Sequence, residues 1–222
     1  MPTIPNAAAS LFRRRLHAWY RANCRDLPWR ETRDPYRILV SELMLQQTQV
    51  SRVLDFYRRF LERFPDLPTL AAARPSRVRE SWEGLGYYAR ARNLHALSRQ
   101  VTREQEGIIP QEPEALRALP GIGAYTAGAV ASFAYEKRAA LVDTNVARVL
   151  RRVFVPQVNA KSGPGGKVLW SVAEQILPRT GKQTWTHNQA LMELGALVCT
   201  ARTPQCGGCP VRSVCQSVDH PK

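Results

Sequence analysis

The stretch that decides the fold runs from residue 119 to residue 123 and reads LPGIG. It separates two segments of helical character, residues 113–118 and 125–135, and so predicts a helix–turn–helix pair. Two glycines, Gly121 and Gly123, allow a tight turn whose N–H groups point outward. Because the positive end of the following helix lies beside this turn, the motif suits one backbone phosphate, directly or through a bridging monovalent cation. The same five residues could equally form a plain connection between helices, so both interpretations stay open.

Helical periodicity extends outward from this turn in both directions. Further helices are expected over residues 11–23, 36–60 (with one turn inside), 87–104, 145–154, 168–177 and 187–199. Ser76 is a candidate N-cap of a short helix, and residues 159–167 (NAKSGPGGK) are typical of a flexible loop. No alternating pattern lasts long enough to build a sheet. The sequence therefore predicts an all-α fold.

The composition is that of a globular protein with an unusual charge. The 222 residues are 44% hydrophobic and 23% charged, which suits one compact unit or two small lobes and argues against disorder. The 32 Lys and Arg outnumber the 18 Asp and Glu, a net charge of +14, and this favours a nucleic-acid partner over a solubility surface. Without a membrane-length apolar run or a basic secretory start in residues 1–10, we expect an intracellular, cytoplasmic protein with no membrane partner.

Four of the five cysteines crowd together near the end of the chain. Cys199, Cys206, Cys209 and Cys215 follow the spacing C-x6-C-x2-C-x5-C, and such a thiolate quartet can hold zinc or a [4Fe–4S] cluster. Tetrahedral zinc sites usually pair two short cysteine loops. Only the middle gap is short here, so the spacing favours the iron–sulfur cluster. The fifth cysteine, Cys24, is expected to be a small buried apolar residue rather than a ligand.

Two carboxylates lie in apolar surroundings. Glu42 is part of LVSELML, residues 39–45, and burial there would raise its pKa toward that of a general acid. Glu42 could equally emerge at a helix edge. Asp143 ends an apolar stretch and opens a helix, which is also the position of an ordinary N-cap residue. Two carboxylates in different environments can divide into a proton donor and an ionised stabiliser. That division suits excision of a base from deoxyribose, which passes through a cationic sugar.

Polar, aromatic and basic side chains follow in two further stretches. Residues 46–49 (QQTQ) could read base edges or fill a vacated stack, and residues 84–88 (GLGYY) could wedge between bases. Arg90, Arg92 and Asn93 beside them form a candidate phosphate-contact surface. Solvated helix faces and local core packing are the ordinary alternatives.

In their order along the chain, these motifs resemble the helix–hairpin–helix DNA glycosylase superfamily. The resemblance rests on LPGIG, on Asp143 after it and on the cysteine spacing, and it covers residues 10–217. Within the superfamily the chain is most similar to MutY-type adenine glycosylases. The stretches that carry this likeness are LPWR (27–30), SELMLQQTQV (41–50), GLGYYARARNL (84–94) and NQALMELGA (188–196).

The resemblance implies a two-lobed helical fold that binds double-stranded DNA with the target base flipped out. One lobe would comprise residues 1–30 and 140–198, and the other would comprise residues 31–139 with the hairpin. Residues 199–222 would form the iron–sulfur loop and tail.

The resemblance also implies catalytic roles. Glu42 would protonate the leaving base, and Asp143 would stabilise the oxocarbenium-like sugar. Tyr125 and Asn145 would support that centre. In bifunctional relatives of endonuclease III type, a lysine that forms a Schiff base takes the position of Tyr125. Tyrosine cannot do this, so the enzyme is expected to be monofunctional.

Contacts to DNA follow from the same resemblance. Gln47, Leu85 and Tyr87 would surround the estranged partner base. The residues themselves, rather than the resemblance, add Arg90 and the hairpin glycines Gly121 and Gly123 as contacts to the DNA backbone.

Two substrates stay open at this point. Adenine opposite 8-oxoguanine or G is the first. Two features depart from the MutY-type pattern. Those relatives carry a further C-terminal domain for 8-oxoguanine, whereas this chain extends seven residues past Cys215, and Thr144 stands where they have a glycine. Thymine or uracil opposite G is the alternative, because RDPY (33–36) and Tyr125 also resemble short thymine/uracil mismatch glycosylases. A non-catalytic DNA-binding iron–sulfur protein is the third possibility. In each case we expect a nucleoid-associated monomer that binds mismatched double-stranded DNA.

Overall fold

The computed structural model describes residues 1–218, and throughout this range the chain folds into helices joined by turns and loops, with no strands. The predicted all-α class is therefore confirmed; residues 219–222 of the expected tail lie outside the described residues. The α-helices are α1 (Asn6–Asn23), α2 (Pro35–Leu45), α3 (Val50–Arg63), α4 (Leu67–Ala72), α5 (Pro75–Glu80), α6 (Ala89–Glu104), α7 (Pro113–Arg117), α8 (Ala124–Tyr135), α9 (Thr144–Phe154), α10 (Gly163–Gln175) and α11 (Gly181–Leu197). Short 3-10 helices span Pro28–Arg30, Cys206–Gly208 and Arg212–Val214.

The chain divides into two compact units. The central unit is the continuous segment Asp26–Tyr135, and the terminal unit joins Met1–Arg25 to the chain from Glu136 onward. In the central unit α2 is buried along most of its length and packs against α3, α6 and α8. In the terminal unit α11 packs against α1 and α9. Each unit thus has its own apolar core, built around one largely buried helix.

The glycine turn joins α7 to α8 in the central unit, as predicted. Gly121 has φ +76°, a backbone conformation that favours glycine, and a Cβ there would lie 2.6 Å from atoms of Asn93. Ile122 is buried, whereas Gly121 and Gly123 are exposed on either side of it. The turn is therefore anchored by one apolar side chain and presents its glycines to solvent.

Two predictions about helix ends are wrong for the same reason, the effect of proline at the start of a helix. Pro75 opens α5, which makes Arg74 rather than Ser76 the N-cap residue. The predicted loop over 159–167 is cut short at Gly163, where α10 begins, because the Ser162 side chain accepts a hydrogen bond from Gly165 N and Pro164 suits the first turn.

The predicted burial of Cys24 is also wrong, because this residue is exposed. It follows α1 as the C-cap, and its N–H donates to the carbonyl of Tyr20 at 2.9 Å. The three residues before it, at positions 21–23, are exposed as well, because the last buried residue of α1 is Tyr20. Among residues 1–218, no helix has both the length and the apolarity to cross a membrane.

Candidate active site

A carboxyl and a phenol meet where α2 packs against α8. Glu42 lies on α2 and is only 3% exposed, as its apolar surroundings predict. Tyr125 lies in the first turn of α8 and donates its hydroxyl hydrogen to Glu42 Oε2 at 2.7 Å. Next to them, Gln46 Nε2 donates to Thr126 Oγ1 at 3.4 Å. The central unit therefore holds a buried carboxyl in an orientation fixed by a phenol.

Asp143 is the N-cap of α9 in the terminal unit. Its Oδ1 accepts from Val146 N at 2.7 Å, and its Oδ2 accepts from Asn145 Nδ2 at 3.1 Å. Burial raises the pKa of Asp143, and this effect outweighs the hydrogen bonds and the charge of Arg148, which lower it. The structure therefore combines the two interpretations of this residue, since the capping side chain is also a largely desolvated carboxyl.

Arg148 connects this carboxyl to the loop that begins at Cys199. Its Nη2 donates to Asn145 Oδ1 and to Gly195 O, both at 2.8 Å, and its Nε donates to Cys199 O at 2.8 Å. Position 195 requires glycine because α11 lies close to Asn145 there, and a Cβ at this position would lie 2.8 Å from the Cβ of Asn145. The first cysteine of the loop and the amide that supports Asp143 are therefore held by the same guanidinium.

Sequence reasoning missed Arg148 and its neighbour Arg152. They stand four residues apart, on one face of α9, and Arg152 donates from Nη1 to Thr200 O at 2.7 Å. Their spacing places both on one face of the helix, but it does not show which carbonyl groups lie against that face. The large basic surplus of the chain also made each arginine look like part of a solvated surface.

The four clustered cysteines line one small cavity with apolar walls that include Val149 and Leu194. None is in a disulfide. Arg152 Nη1 lies 3.5 Å from Cys199 Sγ, a contact of the kind that supports cluster sulfurs. The residues present therefore fit a [4Fe–4S] cluster.

Burial also affects the protonation of these ligands. It raises the pKa of Cys209 to about 11 and raises that of Cys215 as well. Both are thiols near neutral pH before they bind iron, so ligation has to displace their protons.

Two turns carry the residues expected around the partner base. Gln47 follows α2 with φ +56°, and Tyr87 precedes α6 with φ +49°. Tyr87 is 60% exposed, whereas Leu85 is 5% exposed and packs into the central unit. The structure thus presents the tyrosine to solvent and keeps the leucine covered.

Arg90 differs from the predicted phosphate contact. Its side chain is buried, and its guanidinium donates to main-chain carbonyls of both turns rather than to solvent. The reason lies in its position on α6, which faces the end of α2. Its donors are therefore committed to the protein itself.

Residues 40–163, more than half of the chain, match the HhH-GPD superfamily of base excision DNA repair proteins. The chain belongs to the HhH-GPD superfamily. Its loop at residues 199–215 matches the iron–sulfur binding domain of endonuclease III. Both matches confirm the predicted family and the predicted [4Fe–4S] cofactor of this superfamily member.

Two adenine DNA glycosylases are similar to this chain over most of its length. The adenine DNA glycosylase of Mycolicibacterium smegmatis is 45% identical over 197 residues, which are 88% of this chain and 66% of that protein. The adenine DNA glycosylase of Rattus norvegicus is 43% identical over 220 residues, which are 95% of this chain and 42% of that protein. The HhH-GPD chain therefore spans less than half of the rat relative and about two thirds of the bacterial one.

Solved structures show the same fold. A thermostable thymine-DNA glycosylase has a TM-score of 0.87 and 31% identity, covering 96% of this chain and 98% of its own. Endonuclease III trapped as a covalent intermediate with DNA has a TM-score of 0.81 at 22% identity, with 98% of each chain covered. The second likeness concerns the HhH-GPD fold alone.

Proposed function

We propose that this HhH-GPD protein is a monofunctional DNA glycosylase that excises adenine opposite G or 8-oxoguanine. The observation that carries the proposal is the 2.7 Å hydrogen bond from Tyr125 to the buried carboxyl of Glu42. It pairs a shielded acid with a phenol, and no amine stands at that position to form a Schiff base. The identity of 43–45% to adenine DNA glycosylases supports adenine as the released base.

In the proposed reaction Glu42 transfers its proton to the departing base as the N-glycosidic bond breaks and its electron pair leaves with the base. The ionised carboxylate of Asp143 stabilises the positive charge that develops on the sugar. Water then adds at C1′ of the sugar and returns a proton to Glu42, leaving free base and an abasic site. Tyr125 fixes the Glu42 carboxyl, and Asn145 orients Asp143 through their 3.1 Å hydrogen bond.

The iron–sulfur loop has a supporting role in this proposal. Ligation of a [4Fe–4S] cluster by Cys199, Cys206, Cys209 and Cys215 cross-links the loop. Arg148 carries that restraint to Asn145 through its bonds to Cys199 O and Asn145 Oδ1.

DNA binding is proposed to use the exposed glycines of the hairpin. Gly121 and Gly123 precede α8, whose first N–H groups lack partners within the helix and whose dipole favours an anion. One backbone phosphate, directly or through a monovalent cation, fits this chemistry. Gln47 and Tyr87 are proposed to probe the base opposite the excised one, which makes the protein mismatch-directed.

A second candidate is removal of thymine or uracil opposite G. The likeness that favours it is the thermostable thymine-DNA glycosylase, of which this chain covers 98%. Glu42, Tyr125 and Asp143 serve either reaction, so the released base has to be determined directly. A DNA-binding protein without catalysis is the less supported alternative, because it would not need a carboxyl held by a phenol.

The deciding experiment is single-turnover base release on four duplexes, with alkali added afterwards to cleave abasic sites. The duplexes carry A opposite 8-oxoguanine, A opposite G, T opposite G and U opposite G. Release of adenine from the first two supports the proposal, whereas release of T or U alone moves the protein to the second candidate. No release from any duplex by the iron-loaded protein would leave only the non-catalytic alternative.

Glu42→Gln serves as the matched variant in this assay. Glutamine keeps the shape and an acceptor for the Tyr125 hydroxyl but has no acidic proton to give. Retained DNA binding with lost base release is expected. Unchanged base release would remove Glu42 from the mechanism.

A further inference from the structure

The guanidinium of Arg90 lies between the two turns that flank α2 and α6. Its Nη1 donates to the carbonyls of Leu43, Met44 and Gln46, at 2.8, 2.7 and 2.7 Å. Its Nη2 donates to the carbonyls of Leu85 and Gly86, at 3.4 and 3.0 Å. One side chain therefore binds both turns at once.

The first set of bonds terminates a helix. The carbonyls of Leu43 and Met44 belong to the last turn of α2, where carbonyl groups have no partner within the helix and the dipole is negative. Among the described residues, the hydrogen-bond acceptors of Arg90 are all carbonyls and no carboxylate pairs with it. The helix end therefore provides the negative partner of this buried charge.

Two aromatic rings in or next to the turn of residues 84–88 also contact the guanidinium of Arg90. Its central carbon lies 5.5 Å from the ring centroids of both Trp82 and Tyr87. Trp82 also donates from Nε1 to Gly86 O at 3.2 Å. The turn that carries Tyr87 is thus fixed by the arginine and by the ring beneath it.

Both turns contain a non-glycine residue in a left-handed backbone conformation. Gln47 has φ +56° and Tyr87 has φ +49°, and residues in this region persist where surrounding contacts over-determine them. Arg90 bonds the carbonyl immediately before Gln47 and the carbonyl immediately before Tyr87. The restraint acts directly next to each strained residue.

We infer that Arg90 is a positioning residue for recognition of the opposite base. It locks the turns of Gln47 and Tyr87 into one body, so that both side chains meet the partner base from fixed positions. This inference rests on the proposed function, which assigns those two residues to the opposite base. Arg90 would thus affect specificity through the two turns that it binds, and not through a contact to a DNA phosphate.

Arg90→Lys separates the two roles because it keeps the positive charge. A lysine ammonium cannot reproduce the planar fork that reaches both turns. The measurement is the ratio of single-turnover rates for the base that the wild type releases, placed opposite its best and its worst partner. We expect this ratio to fall about tenfold to a hundredfold, with the salt dependence of DNA binding unchanged. A variant with wild-type discrimination would overturn the inference.

Hydrogen exchange provides the direct structural readout. In Arg90→Lys, amides in residues 43–49 and 84–88 are expected to exchange faster together, while α11 keeps its protection. Acceleration in one turn alone would contradict the inference that the two turns form a single body.

Arg138→Lys is the matched control. Arg138 also donates to main-chain carbonyls, those of Pro178 at 2.9 Å and Glu174 at 3.4 Å, but within the terminal unit. It is expected to keep wild-type discrimination; a comparable loss there would mean that any lost arginine–carbonyl contact has this effect, and the inference would fail.

Gly86→Ala covers the case in which Arg90→Lys does not fold. Gly86 has φ +78°, and the space that a Cβ would occupy there is open, so alanine strains the turn without a clash. Lost discrimination with retained folding supports the inference, and full discrimination contradicts it. If the wild type itself releases no base, the proposed function has failed, which is a separate outcome.

Discussion

Replacement of Asp143 separates its two roles, as helix cap and as carboxylate. Asp143→Ala removes the 2.7 Å bond to Val146 N, and a lost N-cap costs about 1 kcal/mol. For a protein of this size that lowers the melting temperature by roughly 2–4 °C. Asp143→Asn keeps a capping oxygen and buries no charge, but its amide faces the Asn145 donor. Its melting temperature is therefore expected to lie between those of the alanine variant and the wild type.

The effect on base release should be much larger and alike in both variants. A carboxylate about 4 Å from a developing positive charge is worth about 4 kcal/mol at an effective dielectric constant of about 20. That corresponds to roughly a thousandfold loss of single-turnover rate. DNA binding should survive, because no positive group is removed.

The assay combines single-turnover base release, thermal melting and DNA binding on the same three proteins. If Asp143→Asn stays within about tenfold of the wild-type rate, Asp143 is only a cap. A rate loss that follows the melting temperature, large for alanine and small for asparagine, would refute the electrostatic argument in the same way.

Four further outcomes are expected. Tyr125→Phe removes the 2.7 Å bond to Glu42 and should slow base release about tenfold; an unchanged rate would show that Glu42 needs no phenol. Burial raises the pKa of Asp143 above its ordinary 3.8, and the stabilising anion is lost as pH falls through that raised value. The acidic limb of the pH–rate profile should therefore lie above pH 3.8 and disappear in Asp143→Asn; its persistence there would assign the limb to another group. The purified protein should be brown, with broad absorbance near ~400 nm, and stoichiometric zinc without iron would contradict this. With a net charge of +14, affinity for DNA should fall steeply with salt; a flat response would exclude phosphate contacts.

Much of the fold follows from apolar spacing within single segments. The burial of Glu42 is one of the two interpretations that the sequence allows, and its neighbours one helical turn away, Ile38, Leu39 and Leu45, favour it because they are apolar. Asp143 was predictable as a cap because a carboxylate stands between an apolar stretch and an amphipathic helix. Both predictions depend only on residues that are close to Glu42 or Asp143 along the chain.

The arginine contacts were not predictable in this way. Arg90 binds the carbonyls of residues 43, 44 and 46, and Arg148 binds the carbonyl of Cys199. Carbonyl groups are identical at every position, so the sequence does not mark which of them an arginine will reach. Among 32 basic residues, only the packing of distant helices distinguishes a buried guanidinium from one on the surface.

The split construction of the terminal unit has a consequence for synthesis. α1 leaves the ribosome before α11, which covers its apolar face and begins roughly 160 residues after α1 ends. At a synthesis rate of about 5–20 residues per second, the apolar face of α1 lacks α11 for roughly 8–30 s. The continuous central unit is complete within this interval. A nascent chain is thus expected to acquire its glycine hairpin before its iron–sulfur loop exists, and to close the bidentate pair of Arg25 with Glu193 only at the end.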